Sequence, residues 1–247
     1  MLFSNFFHDD WLFAFVLHLC LISFAQRASL LTKNGWIHAG ALGTILWGSL
    51  GWQGWLSVLL YLLIGSLVTK IGFAEKEARG IAEGRGGMRG PENVWGSAAT
   101  GALLAILIQF DIWSEKLLLI GFAASFAAKL GDTFGSEIGK RWGRKTFLIT
   151  SLRPVSAGTD GGISIEGTLS CFVGSILMTL VMLKLSLISR SSVFCIVAFS
   201  GFFATLLESL IGALFQKRFY FLTNEVVNFL QTLLAALIAI LLTILIL

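Results

Sequence analysis

Residues 129–140 read Lys-Leu-Gly-Asp-Thr-Phe-Gly-Ser-Glu-Ile-Gly-Lys, and they continue an apolar run over residues 117–128. If this stretch is an α-helix, four polar residues recur at steps of three or four and share one face: Lys129, Asp132, Ser136 and Lys140. Glu137 flanks that face. A charge inside a bilayer costs about 2.5–3.5 kcal/mol on insertion scales, and such residues usually face a bundle interior or a wet cavity. We therefore predict an active site here, at the membrane surface. The alternative is a neutralised ion-pair cluster that only fixes helix packing.

The composition is that of a membrane protein. Of 247 residues, 56% are hydrophobic and 13% are charged, and the mean hydropathy is +0.84. Soluble domains are less apolar and carry more charge. Apolar runs of about 17–25 residues indicate membrane helices. The sequence therefore predicts an all-α, polytopic membrane helical bundle with about eight transmembrane helices, forming one domain over residues 1–247. The predicted helices cover about 10–26, 36–51, 54–72, 93–110, 115–140, 166–186, 191–215 and 223–247, with a tight turn at residues 51–54.

The distribution of basic residues predicts the orientation. Cytoplasmic loops are enriched in Lys and Arg. The side that receives the loops after the first, third, fifth and seventh predicted helices carries most of them: Arg27, Lys33, Lys70, Lys76, Arg79, Arg85, Arg89, Lys140, Arg141, Arg144, Lys145, Arg153, Lys217 and Arg218. The other side has only Lys116, Lys184 and Arg190. We expect both termini on the non-cytoplasmic side and cytoplasmic loops at about 73–92 and 141–165. Because the charge sits in these loops, it does not indicate nucleic-acid binding.

The cysteines and histidines suggest no metal centre. Cys20, Cys171 and Cys195 all fall in apolar runs, and their spacing fits neither a zinc site nor a disulfide framework. The histidines lie near the N-terminus without metal-binding spacing. The first apolar run lacks a basic n-region and an Ala-x-Ala cleavage site, so we interpret it as a retained membrane helix.

The first long loop has the composition of a phosphate site. It interleaves glycines with four basic residues: Lys76, Arg79, Arg85 and Arg89. Glycine lets backbone amides approach an anion, and guanidinium groups grip phosphate with paired donors. Asn93 follows at the predicted start of a helix, which it can cap. We predict phosphate binding here. An ordinary positive-inside loop is the alternative.

The second long loop carries a small polar cluster at residues 156–164 that leads directly into a helix. Its candidate ligand-binding residues are Gly158, Thr159, Asp160, Gly161, Gly162 and Ser164. A helix N-terminus preceded by glycines and hydroxyls is a ready anion site. The standard phosphate-binding loop GxxxxGK[ST] is absent, so no soluble P-loop fold is indicated. The alternative is a turn in which Asp160 is a local cap.

Two further polar stripes lie in the last two predicted helices. Glu208 lies in an apolar helix, which makes it a functional candidate by default. Asn224 and Asn228 are four residues apart and share a face, while Glu225 has an alternative role as a first-turn acid. One membrane face thus collects several carboxylates and many cations. Oxygen ligands beside phosphates suit Mg²⁺, and phosphoryl transfer needs positioning and charge neutralisation above all. No Ser-His-Asp set or haem-ligand pattern competes.

Seven segments carry a resemblance to a known family. They are residues 74–80 (Ala-Glu-Lys-Glu-Ala-Arg-Gly), 84–85 (Gly-Arg), 92–94 (Glu-Asn-Val), 131–139 (Gly-Asp-Thr-Phe-Gly-Ser-Glu-Ile-Gly), 158–164 (Gly-Thr-Asp-Gly-Gly-Ile-Ser), 208–213 (Glu-Ser-Leu-Ile-Gly-Ala) and 224–229 (Asn-Glu-Val-Val-Asn-Phe). The chain resembles the integral membrane proteins of the DUF92/TMEM19 type over about residues 35–247. That family includes the phytyl-phosphate kinase of plant and cyanobacterial tocopherol synthesis. The chain departs from the family pattern mildly, at Gly131, Phe134, Asp160 and Glu208.

The resemblance implies a membrane kinase that adds a phosphate to an isoprenoid monophosphate, with CTP as the expected nucleoside triphosphate. Phytyl phosphate is the expected lipid if the source is photosynthetic, and geranylgeranyl phosphate is the near alternative. A cyanobacterial source would place the protein in the cell or thylakoid membrane, with the active site facing the cytoplasm. The partners are then the lipid, the nucleotide and the bilayer. Two other functions remain open: a CTP-dependent lipid-phosphate cytidylyltransferase and a transporter of an anionic solute or lipid.

Residue roles follow as hypotheses. The catalytic candidates are Asp132, Glu137, Lys129 and Lys140, and the Mg²⁺ ligands are Asp132 and Glu137, with Glu208 as a third. The candidates for binding phosphate or nucleotide are Lys76, Arg79, Arg85, Arg89, Asn93, Ser136, Gly158, Thr159, Asp160, Gly161, Gly162, Ser164, Asn224 and Asn228. Since the acceptor is already an anionic phosphate, Asp132 is assigned to metal binding and not to proton abstraction.

Overall fold

The computed structural model describes residues 3–189, 191–216 and 218–247, with side chains from residue 10 onward. Arg190 and Lys217, which contribute to the predicted charge asymmetry, lie outside these residues. The helices are α1 (Phe3–Ala25), α2 (Lys33–Lys70), α3 (Phe73–Ala78), α4 (Pro91–Gln109), α5 (Glu115–Trp142), α6 (Ile165–Lys184), α7 (Ser191–Ile211) and α8 (Asn224–Ile246). A 3₁₀ turn spans Arg85–Gly87, and a π-helical turn, Gly212–Gln216, extends α7.

Helix α2 is bent back on itself at Gly51. This glycine has φ 68° and ψ −168°, which interrupts the helical path. Gly35 and Gly65, near the two ends of α2, both lie against Arg89: a methyl group would come within 2.5 Å of its carbonyl oxygen at Gly35 and 2.6 Å of its guanidinium at Gly65. In a straight helix these glycines would be about 45 Å apart. The two halves of α2 therefore run side by side, and they are the second and third predicted membrane helices.

The helices have the dimensions of membrane spans. Among the described residues, five helical segments are long and apolar enough to cross a membrane, and Asp10–Ala25 of α1 is a shorter apolar helix. The five are Lys33–Lys70, Glu115–Trp142, Ile165–Lys184, Ser191–Gln216 and Asn224–Ile246. Helix α4 is less apolar because its first turns carry Glu92, Asn93 and Ser97. The predicted polytopic helical membrane architecture is confirmed.

Helix α5 lies at the centre of the bundle, packed by α2, α4, α6, α7 and α8. Its residues Phe122, Phe126 and Leu130 are fully buried. Close packing of α5 on α6 requires small residues: a methyl group at Gly135 would lie 3.2 Å from the carbonyl oxygen of Gly167. The polar stretch of residues 129–140 is therefore carried on the most enclosed of the membrane-spanning helices.

The loop between α5 and α6 contains a small antiparallel sheet, which the all-α prediction missed. Its strands are β1 (Thr146–Leu148), β2 (Pro154–Val155) and β3 (Gly162–Ile163), in the order β2-β1-β3. Thr146 pairs with Val155 and Phe147 with Ile163. Strands of two or three residues are too short to show an alternating pattern in the sequence. The sheet folds the glycine-rich residues back toward α5.

Candidate active site

A cavity of about 390 Å³ lies where α5 meets the two long loops. It brings together sixteen of the predicted site residues: Arg89, Asn93, Lys129, Asp132, Ser136, Glu137, Lys140, Gly158, Thr159, Asp160, Gly161, Gly162, Ser164, Glu208, Asn224 and Asn228. These come from segments far apart in sequence. The remaining three, Lys76, Arg79 and Arg85, are not part of its lining.

Lys129 holds α5 and α8 together at the inner wall of the cavity. Its side chain is 6% exposed. The ammonium group donates hydrogen bonds to Asp132 Oδ2 at 2.5 Å and to Asn228 Oδ1 at 2.8 Å. Because a buried ammonium group must be paired, these two partners fix its position. Asp132 keeps 18% of its side chain exposed, so its carboxylate remains accessible to a ligand.

Glu137 is held between two lysines. It is buried and pairs with Lys76 of α3, which is fully buried. Lys140 Nζ lies 3.4 Å from its other carboxylate oxygen, and Lys76 also donates to the carbonyl oxygen of Thr69 at 2.9 Å. Glu137 is therefore already neutralised. This arrangement favours a role in positioning lysines over the metal-binding role expected from sequence, and it places Lys76 beneath the cavity wall.

Arg89 reaches the cavity from the first long loop. Its Nη1 donates a hydrogen bond to the Tyr61 hydroxyl at 2.7 Å, and its guanidinium lies over the Tyr61 ring at 5.1 Å. Its backbone N–H donates a hydrogen bond to the carbonyl oxygen of Leu30, and its carbonyl oxygen accepts one from the backbone N–H of Thr32. The residue is therefore fixed at both main chain and side chain. Among the described residues, Tyr61 is the one hydrogen-bond partner of the guanidinium.

Arg79 and Arg85 stabilise the loop at the rim. Arg79 Nη1 donates to the carbonyl oxygen of Lys140 at 2.9 Å. Arg85 pairs with Glu92 and donates to Asn93 Oδ1 at 2.7 Å. A hydrogen bond to the backbone of Glu92 itself, and then the Arg85 guanidinium, hold the pKa of the Glu92 carboxyl below its usual range. Arg79 and Arg85 are thus engaged by other residues of the chain. Arg89 is the arginine of this loop that lines the cavity.

The glycine-rich segment forms the opposite wall. Gly158 and Gly161 have φ of 84° and 72°, which a residue with a side chain adopts only at a cost. A methyl group at Gly161 would lie 2.6 Å from the carbonyl oxygen of Ser209, so the segment packs closely on α7. The Ser164 hydroxyl accepts a hydrogen bond from the N–H of Gly167 and caps α6. The segment brings Thr159 and Asp160 to the cavity.

The model of the family described as "Integral membrane protein DUF92" matches residues 16–236. The chain belongs to the DUF92 family. It is 49% identical over 234 residues to the uncharacterized membrane protein sll0875 of Synechocystis sp., covering 93% of this chain and 90% of that protein. It is 39% identical over 217 residues to Protein VTE6, chloroplastic, of Arabidopsis thaliana, covering 85% of this chain and 65% of that protein. It is 33% identical over 232 residues to the uncharacterized membrane protein MJ0933 of Methanocaldococcus jannaschii, covering 93% of each. No solved structure matches.

The acids of this DUF92 protein suit a metal ion that is bound together with phosphate. Glu208 lines the same cavity as Asp132, Asp160 and Lys129. Within the described ranges, no group of three or more His, Cys, Asp or Glu residues is arranged to hold a metal by itself. Mg²⁺ does not need such a set, because it is commonly bound by one or two carboxylates, substrate phosphates and water. Asp132 and Glu208 therefore fit Mg²⁺, whereas Glu137 is already engaged.

Several cavity residues of the DUF92 chain were not predicted. Tyr61 lines the cavity from the second half of α2, inside an apolar run. Gln231 does not line the cavity itself but is fully buried beside the cavity residue Thr205. It donates to the carbonyl oxygen of Ala128 at 3.2 Å and to the Thr205 hydroxyl at 2.9 Å. A signal for Gln231 was present, because it follows Asn228 by one helical turn in an otherwise apolar helix. Tyr61 carried no comparable signal.

Proposed function

We propose that this DUF92 protein is a membrane kinase that transfers the terminal phosphoryl group of a nucleoside triphosphate to an isoprenoid monophosphate. CTP is the proposed donor, phytyl phosphate the proposed acceptor, and geranylgeranyl phosphate the alternative acceptor. The observation that carries the proposal is the cavity itself. One cavity between membrane helices collects acidic side chains, lysines, an arginine and a glycine-rich backbone segment. The similarity to a cyanobacterial protein and to a chloroplastic one supports a phytyl lipid.

Each wall of the cavity has a proposed role. Arg89 and Asn93 bind the phosphate of the acceptor, since a guanidinium offers paired donors to phosphate oxygens. Residues 158–162 bind part of the nucleotide triphosphate through the backbone N–H groups of Gly158, Asp160 and Gly161, since those of Thr159 and Gly162 already donate within the loop. Ser136, Asn224 and Asn228 supply further polar contacts. Lys140, which is 20% exposed beside Glu137, lies where it can offset charge on the group in transfer.

The reaction is a direct displacement at phosphorus. An oxygen of the acceptor monophosphate forms a bond to the terminal phosphorus of the nucleotide. The bond from that phosphorus to the bridging oxygen breaks, and the nucleoside diphosphate leaves with the electron pair. The acceptor oxygen is already anionic, so no strong base is needed. The protein contributes alignment of two polyanions and fixed positive charge around them, which are the main sources of rate in phosphoryl transfer.

Asp132 and Glu208 would hold Mg²⁺, with Asp160 as a further oxygen ligand. The ion would supply charge neutralisation between the phosphates of donor and acceptor. Lys129 keeps Asp132 oriented through their 2.5 Å contact. We place the cavity on the cytoplasmic face of the membrane, where the basic loops are expected and where nucleotides are available.

The test uses the purified protein in detergent with Mg²⁺, phytyl phosphate and CTP, with ATP as the parallel donor. Label from the terminal phosphate should appear in a lipid diphosphate, with CDP as the second product. Label from the α-phosphate in a CDP-lipid, with release of pyrophosphate, would identify a cytidylyltransferase instead. Absence of transfer to any isoprenoid phosphate, together with solute uptake by sealed vesicles, would contradict the kinase and support a transporter.

A further inference from the structure

A second cavity lies beside the first and has the opposite chemistry. Its volume is about 230 Å³, and it is enclosed by α1, both halves of α2 and α4. Its walls are mostly aliphatic and aromatic, with Leu42, Leu46, Val58 and Leu62 from α2 and Ala98 from α4. We call this space the apolar groove. The active-site cavity, by contrast, is lined mainly by polar groups.

The two cavities meet at four residues. Tyr61, Arg89, Asn93 and Ser97 line both of them. Arg89 is the one fully charged group among the four, and it stands where the apolar walls end and the polar walls begin. The glycine-rich segment, Asp132 and Glu208 line only the active-site cavity. Arg89 therefore marks the boundary between the apolar groove on one side and the polar active-site cavity on the other.

The apolar groove follows the length of the α2 hairpin. Arg89 contacts Gly35 and Gly65 at the open end of the hairpin. Leu46 and Trp55 lie near the turn at Gly51, where Trp55 packs on Trp47 with ring centroids 5.3 Å apart. The rise of a helix from residue 36 to residue 46 is about 15 Å. The groove is thus elongated, with a cation at one end and aromatic rings at the other.

We infer that the apolar groove holds the hydrocarbon tail of a single-chain isoprenoid monophosphate, with its phosphate on Arg89 and Asn93 at the junction. This inference rests on the proposed function and specifies how the acceptor is bound. The distribution of charge identifies the ligand. An elongated apolar groove with one guanidinium group at its end is complementary to a single-chain amphiphile that has one anionic headgroup. The nucleotide then approaches the same phosphate from the glycine-rich side. The groove sets tail selectivity, and its walls favour a long tail over a five-carbon one.

A matched pair of variants tests the groove by kinetics. Leu62 lines the groove, whereas its neighbour Leu63 is exposed and lines neither cavity. Leu62→Trp should lower the ratio of kcat/KM for a twenty-carbon monophosphate to that for a five-carbon monophosphate by about tenfold or more, the range over which pocket size discriminates apolar groups. Leu63→Trp should leave this ratio as in the unmodified protein. Equal ratios in the two variants, both active, would overturn the inference.

A binding measurement separates this inference from the proposed function. The probe is a brominated long-chain alkyl monophosphate, added without nucleotide to the full chain in lipid nanodiscs, and it quenches nearby tryptophans. Quenching should saturate, be reversed by phytyl phosphate, and fall sharply in Trp55→Phe. It should persist in Trp113→Phe, since Trp113 lies on the α4–α5 loop and lines neither cavity.

The outcomes are distinct. Quenching that depends on Trp55, in a protein that transfers no phosphate, would retain the tail site and reject the kinase. Active transfer with quenching that does not depend on Trp55 would reject the tail site and retain the kinase. The variant Arg89→Gln tests where the phosphate headgroup binds. It should remove the preference for the brominated phosphate over the matching brominated alcohol. An unchanged preference would contradict the assignment of Arg89.

Discussion

Glu137 of α5 is paired with Lys76 of α3, and both side chains are buried. The pair attaches a six-residue helix, which would not be stable alone, to the central helix of the bundle. A buried ion pair that loses one partner leaves an uncompensated charge, and this is more costly than the net contribution of the intact pair. The contact therefore determines how the first long loop is held over the active-site cavity.

The first prediction concerns stability. Lys76→Met should destabilise the protein by about 3–5 kcal/mol because it leaves Glu137 buried with only Lys140 nearby. The double variant Lys76→Met with Glu137→Leu should recover most of this loss. Thermal unfolding in detergent measures both. Glu75→Gln is the control, since the Glu75–Arg141 pair is half-exposed on the glutamate side and such pairs contribute about 0–1 kcal/mol. Equal losses in Lys76→Met and Glu75→Gln would contradict the role of the buried pair.

The second prediction concerns Asp132. Asp132→Asn should lower kcat by about 100-fold or more, since removal of one precisely placed charge from a transfer site has effects of this size. The protein should still fold, because the amide oxygen can accept the hydrogen bond from Lys129. The measurement is the rate of lipid diphosphate formation over a range of Mg²⁺ concentrations. Asp111→Asn is the matched control, because Asp111 is exposed on the α4–α5 loop. Full activity of Asp132→Asn would exclude Asp132 from the metal site.

Helix α5 shows which features of the site can be predicted from the sequence and which cannot. The shared face of Lys129 and Asp132 follows from helical periodicity, and the structure pairs them at 2.5 Å. The burial of Lys76 could not be predicted in this way. A lysine in a loop between glycines has the appearance of a solvent-exposed cation, and its burial depends on the packing of α3 against a helix 61 residues away. Tyr61 was missed for a similar reason, since only the fold of the α2 hairpin brings it to Arg89.

The third prediction distinguishes the two arginines of the first loop. Arg89→Gln should raise KM for the lipid monophosphate by about 10- to 100-fold, the equivalent of losing a hydrogen bond to a charged group. Arg85→Gln should have a smaller effect, since Arg85 is engaged by Glu92 and Asn93 at the rim. Steady-state kinetics with varied lipid at saturating nucleotide give both values. A larger KM for Arg85→Gln than for Arg89→Gln would show that the rim, not the junction, binds the acceptor.

The fourth prediction concerns the backbone of the glycine-rich segment. Gly161 combines φ of 72° with close contact to the carbonyl oxygen of Ser209. Gly161→Ala should therefore cost about 1–2 kcal/mol from the left-handed conformation alone, and more from the displaced contact with α7. Because the same segment is proposed to bind the nucleotide, KM for CTP should rise while KM for the lipid changes little.

Gly84→Ala is the matched control for that segment. Gly84 has φ of −58°, and a methyl group there would meet no atom within 4 Å. Gly84→Ala should be as stable as the unmodified protein or slightly more stable, because alanine lowers the conformational entropy of the unfolded chain. If Gly161→Ala and Gly84→Ala show the same unfolding temperature and the same KM for CTP, the glycine-rich segment is only a connection between β2 and β3. A selective loss in Gly161→Ala would instead tie nucleotide binding to the backbone of residues 158–162, where the positive φ angles require glycine.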